Sequence, residues 1–464
     1  MLADGPQTVT TRLLPIFAAL MFGFTPAGLP AASPASEPWQ PKLDAELQAI
    51  AASPTHPLAS LSVLAIRNGE VVYQRQFGHR YIDPVHPSKS RLANDETLYR
   101  VASISKLITT LGVMRLVEAG KLRLDDDVSP ALGFSLRNPA FPDVPITLRT
   151  LLNHTSSLRD DAGYYWDAGQ NVHLRDVLAP GGRLHGDGAM WDKQHAPGTY
   201  FQYCNLAWGV IGSIMERATG ERFDRLMKRL VLDPLGLRGG FHPFDLSEAD
   251  LQNVATLYRK RSTVAGREIW KPSGPWIAQV DDYVNERPVA RAAADYVPGA
   301  NGTLFGPQGN CRLSAAGLGR VMHMLLARGR LDGAVFLRED SVAQMLRQSW
   351  RAEATGSNGR SDFGSQRALF HAWGLGNQHF LDVSGDNRGD RLVADGGFRA
   401  VGHLGDAWGL TAAFVFDAGS GNGLVYLIGG PGFDPATYRG KYSALARHEE
   451  LILDALYRRA ILRQ

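Results

Sequence analysis

Strand-forming segments at both ends of this 464-residue chain restrict its fold more than any other feature. Near the N-terminus, residues 61–66 and 71–77 are joined through an Asn-Gly dipeptide, which is typical of a tight hairpin turn. Near the C-terminus, residues 410–416 and 424–428 form a second pair. If both pairs belong to one antiparallel sheet, the long stretch between them is an insertion into a single composite domain.

The stretch between the strand pairs has mainly helical periodicity. Apolar residues recur at helical spacing in segments 39–53, 103–120, 146–152, 206–219, 223–230, 314–329 and 443–462. We therefore predict an α+β fold, in which an antiparallel sheet is flanked by N- and C-terminal helices and carries a large helical insertion at roughly 108–295. The glycine run at 417–423 lacks a following Lys-Ser/Thr and a helix, so it indicates a hairpin turn and not a phosphate loop.

The first 36 residues resemble a secretory signal. Arg12 precedes an apolar stretch at 13–24, and small residues and prolines follow up to Ser36. The stretch is 12 residues long, too short for a stable membrane span. We expect a signal peptide at 1–36, one domain at 37–464 and a secreted, periplasmic protein. A non-cleaved anchor or an N-terminal tail on a cytoplasmic protein is the alternative.

Composition excludes several classes of function. The formal net charge is +3 and no run of Lys or Arg would follow a phosphate backbone, so we expect no nucleic-acid partner. No residues have zinc-ligand spacing, and no metal or organic cofactor is expected. Cys204 and Cys311 could form one bridge in an exported protein or remain two buried thiols; the sequence leaves this pairing and the oligomeric state open.

Ser103 and Lys106 give the strongest chemical signal, at the predicted start of a helix. Residues three apart lie on one helix face, so the two side chains can touch. A serine becomes nucleophilic when a neighbouring base takes its proton, and a lysine can be that base if burial lowers its pKa. By itself the pattern also fits a capped helix with a solvated lysine.

Further segments give this pair a context. Tyr203-Cys-Asn205 lies just before a predicted helix, and His403-Leu-Gly405 lies just before a C-terminal strand. With these motifs the sequence resembles the serine beta-lactamase and penicillin-binding-protein superfamily, especially class C beta-lactamases, D-stereospecific peptidases and related esterases. The similarity covers roughly residues 57–430, and the matching segments follow family order: 98–107, 151–156, 197–205, 232–237 and 402–405.

The resemblance assigns the catalytic roles. It implies that Ser103 is the nucleophile that becomes acylated, and that Lys106 and Tyr203 share proton transfer, with either as the base. His154 and Cys204 belong to matching segments as well, but we interpret His154 as a packing residue and Cys204 as a packing residue or bridge partner.

Four further residues are implied in substrate binding. Asn205 orients Lys106 and the substrate amide, and His403 faces the catalytic cluster. The backbone N–H groups of Ser103 and Asp406 form the oxyanion hole. The absence of a side chain at Gly405 is expected to let substrate lie against its strand.

Two departures from the family pattern concern the substrate. His403 replaces the lysine typical of class C beta-lactamases, and a mostly neutral histidine holds an anion less firmly. Asp406 would repel a substrate carboxylate if its side chain faces inward, which strand alternation does not settle. Specificity is expected in loops 159–196 and 262–297, and Trp166, Trp373 and Trp408 either surround the pocket or pack elsewhere.

The sequence therefore predicts a serine hydrolase that forms an acyl-enzyme at Ser103. Its substrate would be a small ester or a D-amino-acid-type amide or peptide, including those derived from the cell wall. A beta-lactamase or D-Ala-D-Ala carboxypeptidase is the alternative within the superfamily. A non-catalytic relative that binds peptidoglycan is the alternative from another class.

Overall fold

The structure is a computed structural model that describes residues 37–264, 267–290 and 295–464. The predicted signal segment at 1–36 lies outside these residues and stays a prediction. The α-helices are Gln40–Ala51 (α1), Ile104–Glu118 (α2), Ser129–Leu132 (α3), Leu148–Leu152 (α4), Leu174–Leu178 (α5), Leu206–Thr219 (α6), Phe223–Met227 (α7), Glu248–Gln252 (α8), Ala315–Leu326 (α9), Glu339–Leu346 (α10) and Arg447–Leu456 (α11).

Helices α7 and α11 each continue as a π-helical turn, at Lys228–Leu232 and Tyr457–Ile461. Short 3₁₀ turns occur at Pro87–Lys89, Ala168–Gln170, Pro243–Asp245 and Pro435–Thr437. In the described part of the chain, none of the helices is long and apolar enough to cross a membrane.

The strands are Ser60–Arg67 (β1), Glu70–Tyr81 (β2), Arg91–Leu92 (β3), Tyr99–Arg100 (β4), Leu257–Arg259 (β5), Arg261–Val264 (β6), Arg267–Trp270 (β7), Ile277–Val280 (β8), Arg312–Leu313 (β9), Arg330–Leu331 (β10), Ala334–Val335 (β11), Trp350–Arg351 (β12), Ala372–Trp373 (β13), Gln378–Phe380 (β14), Ala400–Ala407 (β15), Leu410–Asp417 (β16) and Asn422–Ile428 (β17). Among the described residues, nine of them form one sheet in the order β12-β13-β14-β15-β16-β17-β1-β2-β3.

The main sheet joins the two ends of the chain. Strand β17 pairs antiparallel with β1, with Tyr426 opposite Val63, and every pairing recorded within the sheet is antiparallel. Helix α2, which starts next to Ser103, packs against β15 and β16. The predicted fold class, an antiparallel sheet with flanking helices and a helix-rich insertion, is confirmed.

Side chains of β1 alternate between two cores, as the pleat of a strand requires. Leu64 and Ile66 belong to the core that includes helices α2, α6 and α9. Leu61 and Val63 belong to the opposite core, with helices α1 and α11. The sheet is therefore buried on both faces, and functional groups become accessible where its strands end or an edge is free.

The predicted hairpins and helical segments are present, whereas most of the short strands and helices α3, α5, α8 and α10 were not predicted. The turn at Asn68-Gly69 and the glycine run at 417–423 are both hairpin connections, as expected. The His403-Leu-Gly405 motif lies inside strand β15, whereas the sequence placed it just before a strand. Strands β5–β8, which form two small separate pairs, were missed because each has only three or four residues, too few for a clear alternating pattern.

Candidate active site

A tight turn presents Ser103 at the start of helix α2. The preceding strand β4 pairs with β9, and the Val101 N–H donates to the Cys311 carbonyl at 2.8 Å. Ala102 has a φ of 44°, in the left-handed region that residues with a Cβ rarely adopt. Such strain persists where surrounding contacts impose it, often at functional sites. The turn leaves Ser103 partly exposed, whereas the next four residues are buried.

The Lys106 ammonium group lies within hydrogen-bonding distance of three acceptors. Its Nζ is 3.0 Å from Ser103 Oγ, 2.8 Å from Asn205 Oδ1 and 3.0 Å from the Gln308 carbonyl oxygen. A charged lysine has three N–H donors, so each acceptor can receive one. When Lys106 loses a proton, its lone pair can accept the Ser103 hydroxyl proton instead.

Burial prepares Lys106 to act as a base. The side chain is fully buried, and removal from water lowers its pKa to about 7, although the negative charge of Asp160 opposes the shift. A substantial fraction is therefore neutral near pH 7. The Asn205 and Gln308 oxygens hold this amine against Ser103 Oγ, which is the arrangement that general-base activation of a serine requires.

Tyr203 contacts the same serine from another side. Its hydroxyl hydrogen-bonds with the Ser103 side chain, while burial raises the phenol pKa well above its usual value. The ring of His154 stacks on Tyr203 with centroids 4.5 Å apart. Behind the ring, His154 Nδ1 accepts a 3.0 Å hydrogen bond from the Cys204 N–H. His154 therefore packs against the tyrosine of the site, closer to the chemistry than the predicted packing role implied.

Asp160 is a positioning residue that the sequence interpretation missed. Its carboxylate accepts hydrogen bonds from the backbone N–H groups of Asn205 (2.8 and 2.9 Å) and Leu206 (2.9 Å), at the N-terminus of α6. It also accepts from Asn205 Nδ2 at 2.9 Å, which turns Asn205 Oδ1 toward Lys106. The only sequence signal for Asp160 is its position just after the matching segment 151–156.

His403 lies beside this cluster as a neutral side chain. Burial, together with the nearby Lys106 charge, lowers its pKa to about 3. Its Nδ1 donates to the Leu404 carbonyl at 2.6 Å, so the neutral ring has an unprotonated Nε2, which is buried and has no hydrogen-bond partner in the described part of the chain. The ring centroid is 6.2 Å from that of Tyr203. Unlike a lysine, His403 offers an acceptor and no positive charge.

Strand β15 passes the nucleophile turn closely at Gly405. A Cβ at this position would lie 2.6 Å from the Val101 carbonyl oxygen and 3.5 Å from Ala102 Cβ. The sequence analysis expected glycine at 405 to leave room for substrate. In the structure, the turn that carries Ser103 occupies the space that a Cβ at this position would need. Strand β14 pairs with β15 only at residues 400–402, so this pairing ends before His403.

A cavity of about 160 Å³ opens in front of Ser103. Its wall includes Tyr203, Asn205, His403, Gly405 and Asp406, so the structure brings the predicted site residues together around one space, with Lys106 buried behind Ser103.

The carboxyl groups on the described wall of this cavity have no lysine or arginine side chain among them. Among the described residues that line it, Asp406 and Glu449 carry carboxyl groups and none is a lysine or arginine. Solvent reaches Asp406, yet the surrounding protein removes it partly from water and raises its carboxyl pKa, an effect that Arg259 opposes. Burial raises the pKa of Glu449 to about 7.

The apolar wall comes largely from an unexpected loop. Phe363, Leu369 and Phe370 line the cavity, although the predicted specificity loops were 159–196, which contributes Tyr164, and 262–297. The predicted tryptophans differ from one another. Trp408 lines the cavity over the Arg100 guanidinium, Trp373 is buried against Tyr203 and His403, and Trp166 packs against the helical core.

Both cysteines are free and buried. Cys204 Sγ donates to Asp160 Oδ1 at 3.3 Å, and burial raises its thiol pKa well above the usual value, which leaves it protonated. Within the described ranges no group of three or more His, Cys, Asp and Glu side chains could hold a metal ion.

Comparison with known proteins identifies the class of this fold and site. The sequence model described as Beta-lactamase matches residues 44–448. The chain belongs to the beta-lactamase family, a family of serine hydrolases, and the resemblance noted in the sequence is confirmed.

Individual relatives match over shorter regions. Esterase EstB of Burkholderia gladioli is 34% identical over 191 residues, 39% of this chain and 46% of that protein. Penicillin-binding protein 4* of Bacillus subtilis is 30% identical over 179 residues, 38% of this chain and 36% of that protein. The match thus spans less than half the length of either relative. A solved structure, the octameric penicillin-binding protein homologue from Pyrococcus abyssi, shares the fold with a TM-score of 0.60 at 20% identity, covering 91% of this chain and 77% of that one.

Proposed function

We propose that this protein is a serine hydrolase that forms an acyl-enzyme at Ser103 on small esters or D-amino-acid-type amides. One observation carries the proposal: the fully buried Lys106, with a pKa of about 7, holds its Nζ 3.0 Å from Ser103 Oγ. A non-catalytic binding protein has no need of a desolvated lysine held against a serine at a strained turn, because burying the amine costs stability.

Lys106 is the better candidate for the base that starts the reaction. Near pH 7 its neutral form is well populated, whereas the Tyr203 phenolate is scarce because burial raises the phenol pKa. Neutral Lys106 accepts the Ser103 proton as Oγ bonds to the substrate carbonyl carbon. The Tyr203 hydroxyl, hydrogen-bonded to the same serine, relays a proton from Lys106 to the departing alcohol or amine.

The second half-reaction uses the same groups in reverse. With the leaving group gone, neutral Lys106 takes a proton from water, whose oxygen attacks the acyl carbonyl carbon. The bond from that carbon to Ser103 Oγ then breaks, and protonated Lys106 returns the proton to Oγ, which releases the acid and restores the Ser103 hydroxyl. In both steps we assign the developing oxyanion to the backbone N–H groups of Ser103, at the N-terminus of α2, and of Asp406. The helix N-terminus adds favourable positive potential at this position.

The cavity charges favour substrates without a carboxylate near the scissile bond. Asp406 and Glu449 would repel an anion, and neutral His403 does not offset them. Beta-lactams and peptides ending in D-Ala carry such a carboxylate, so beta-lactamase and carboxypeptidase activities are the less favoured candidates. Aromatic side chains at 363 and 370 suit an apolar acyl group.

Hydrolysis of p-nitrophenyl butyrate by the wild-type protein and by Ser103→Ala tests the proposal. We expect a burst and steady turnover that the Ser103→Ala variant lacks, with Ser357→Ala, an exposed loop serine, retaining both. D-alanine amide should be cleaved faster than a cephalosporin. Equal rates for wild type and Ser103→Ala on both esters and D-amides would overturn the proposal.

A further inference from the structure

A second cavity, of about 300 Å³, lies next to the cavity in front of Ser103. The two share part of their walls, and we call this shared wall the junction. It consists of Phe363, Gln366, Asp406, Thr411 and Glu449. A substrate held at Ser103 can therefore extend past the junction into the second cavity.

Two carboxyl groups meet at the junction. Asp406 and Glu449 both line the two cavities. Burial raises the pKa of Glu449 to about 7, and the negative charge of Asp406 adds to this shift. The Glu449 carboxylate accepts from Tyr426 Oη at 2.6 Å and from the Ala446 N–H at 2.9 Å, so it is held in place on helix α11. Arg259 interacts with Asp406 and can balance at most one of the two negative charges.

Thr411 supplies an independent sign that a polar ligand binds here. It stands opposite Asp406 in the pairing of β15 with β16, and its side chain is only 9% exposed. Thr411 lines both cavities, and its buried Oγ1 has no hydrogen-bond partner among the residues that the structure describes. A buried hydroxyl without a partner destabilises the free protein, so a ligand that supplies a partner stabilises the site.

The far wall of the second cavity has a different charge pattern. Arg259 and Arg439 lie there together with Asp434, and Trp270 adds an aromatic surface. These arginines disfavour a cation deep in the second cavity. The excess of negative charge is therefore confined to the junction, beside the hydroxyl that lacks a partner.

We propose that the junction binds a primary ammonium group of the substrate, with the second cavity holding the substituent attached to it. The ammonium donates to the carboxylates of Asp406 and Glu449, and it fills the vacant hydrogen-bonding position at Thr411 Oγ1. This inference rests on the proposed function, because it assumes that the acyl group reacts at Ser103. It adds a site that determines substrate specificity, and the residues of this site lie outside the group formed by Ser103, Lys106, Tyr203 and Asn205.

Binding of simple ligands tests the inference without turnover. Calorimetry on the wild-type protein should give benzylamine an affinity at least about tenfold higher than benzyl alcohol, whereas benzoate should bind more weakly than either. Asp406→Asn and Glu449→Gln should each abolish most of the preference for the amine. Asp143→Asn, which removes an exposed charge away from both cavities, should preserve it.

Glu449→Gln is the more conservative variant, because a glutamine can still accept from Ala446 and Tyr426. Equal binding of amine and alcohol to wild type, or an equal loss in Asp143→Asn, would overturn the inference. If that happens while Ser103-dependent ester turnover persists, only the ammonium site is wrong. If wild type and Ser103→Ala have equal ester and amide turnover, the proposed function itself fails.

Discussion

The nucleophile cluster, formed by Ser103, Lys106, Tyr203 and Asn205, and the junction lie along one continuous space. They differ in how many hydrogen-bond partners the protein itself supplies to their polar groups. In the nucleophile cluster, Lys106 Nζ hydrogen-bonds with Ser103 Oγ and with Asn205 Oδ1. The Asp160 carboxylate accepts from Asn205 Nδ2 and so fixes the orientation of that amide. At the junction, Arg259 interacts with Asp406, Glu449 lies beside a second carboxyl group, and the Thr411 hydroxyl has no partner among the described residues.

This difference separates chemistry from recognition. Hydrogen bonds among Ser103, Lys106 and Asn205 hold the reacting atoms in place before substrate arrives, which is what preorganised catalysis requires. Groups that lack partners in the free protein are completed by a ligand, and they therefore select for its chemistry. The comparison predicts that substitutions in the cluster reduce rates, whereas substitutions at the junction change substrate preference.

The largest expected effect is a loss of turnover when Lys106 is replaced. Lys106→Met keeps the length of the side chain but removes the base, so kcat for p-nitrophenyl butyrate should fall by about 10²–10⁴. The matched control is Lys121→Met, an exposed lysine beyond the end of α2. Turnover of Lys106→Met within a factor of three of wild type would show that another group activates Ser103.

Removing Asp160 should cost both stability and rate. Asp160→Ala leaves the Asn205 and Leu206 N–H groups without their acceptor, and we expect unfolding in urea to lose about 2–4 kcal/mol. Because Asn205 then loses the hydrogen bond that orients it toward Lys106, kcat should also fall by about tenfold or more. Asp161→Ala, its exposed neighbour, should change neither quantity. An unchanged kcat in a folded Asp160→Ala protein would contradict the positioning role.

Activity should rise with pH around neutrality. The base must be unprotonated, and the Lys106 pKa is about 7, so kcat/KM should fall about tenfold per unit below that pH and level off above it. His403 stays neutral here, because its pKa is about 3. Glu449 also has a pKa of about 7, and the Glu449→Gln profile separates the two groups: loss of the step in this variant would assign it to Glu449.

The smallest effect should come from the hydroxyl at the junction. Thr411→Val preserves shape and removes a group without a partner, so the free energy of unfolding should stay the same or rise by up to about 1 kcal/mol. In Thr109→Val a comparable change removes the 2.9 Å bond from Oγ1 to the Pro307 carbonyl and should cost about 1–2 kcal/mol. Equal destabilisation in both variants would mean that Thr411 has a partner in solution.

The sequence predicted the regular parts of this molecule well because their signals are local. The hairpin at Asn68-Gly69 and the helix after Ser103 depend on turn chemistry and periodicity, and the fold class followed from their order. Motifs in family order placed Ser103, Tyr203 and His403 near one another, and the structure does bring them together.

The parts that sequence analysis missed depend on contacts between distant segments. Asp160 acts through a helix that begins 46 residues later, and the 363–370 loop reaches the cavity only through folding of the whole domain. The crowding of Gly405 by Val101 is likewise visible only once strand and turn are packed together. Neither periodicity nor a short motif contains such information.

The central claim, an acyl-enzyme at Ser103, is tested most directly by mass spectrometry of a rapidly quenched reaction with p-nitrophenyl butyrate. We predict that the wild-type protein gains one butyryl group, that peptide mapping places it on Ser103, and that Ser103→Ala gains none. A quenched protein that turns over substrate without any acyl adduct, or an adduct on another residue that persists in Ser103→Ala, would contradict the account.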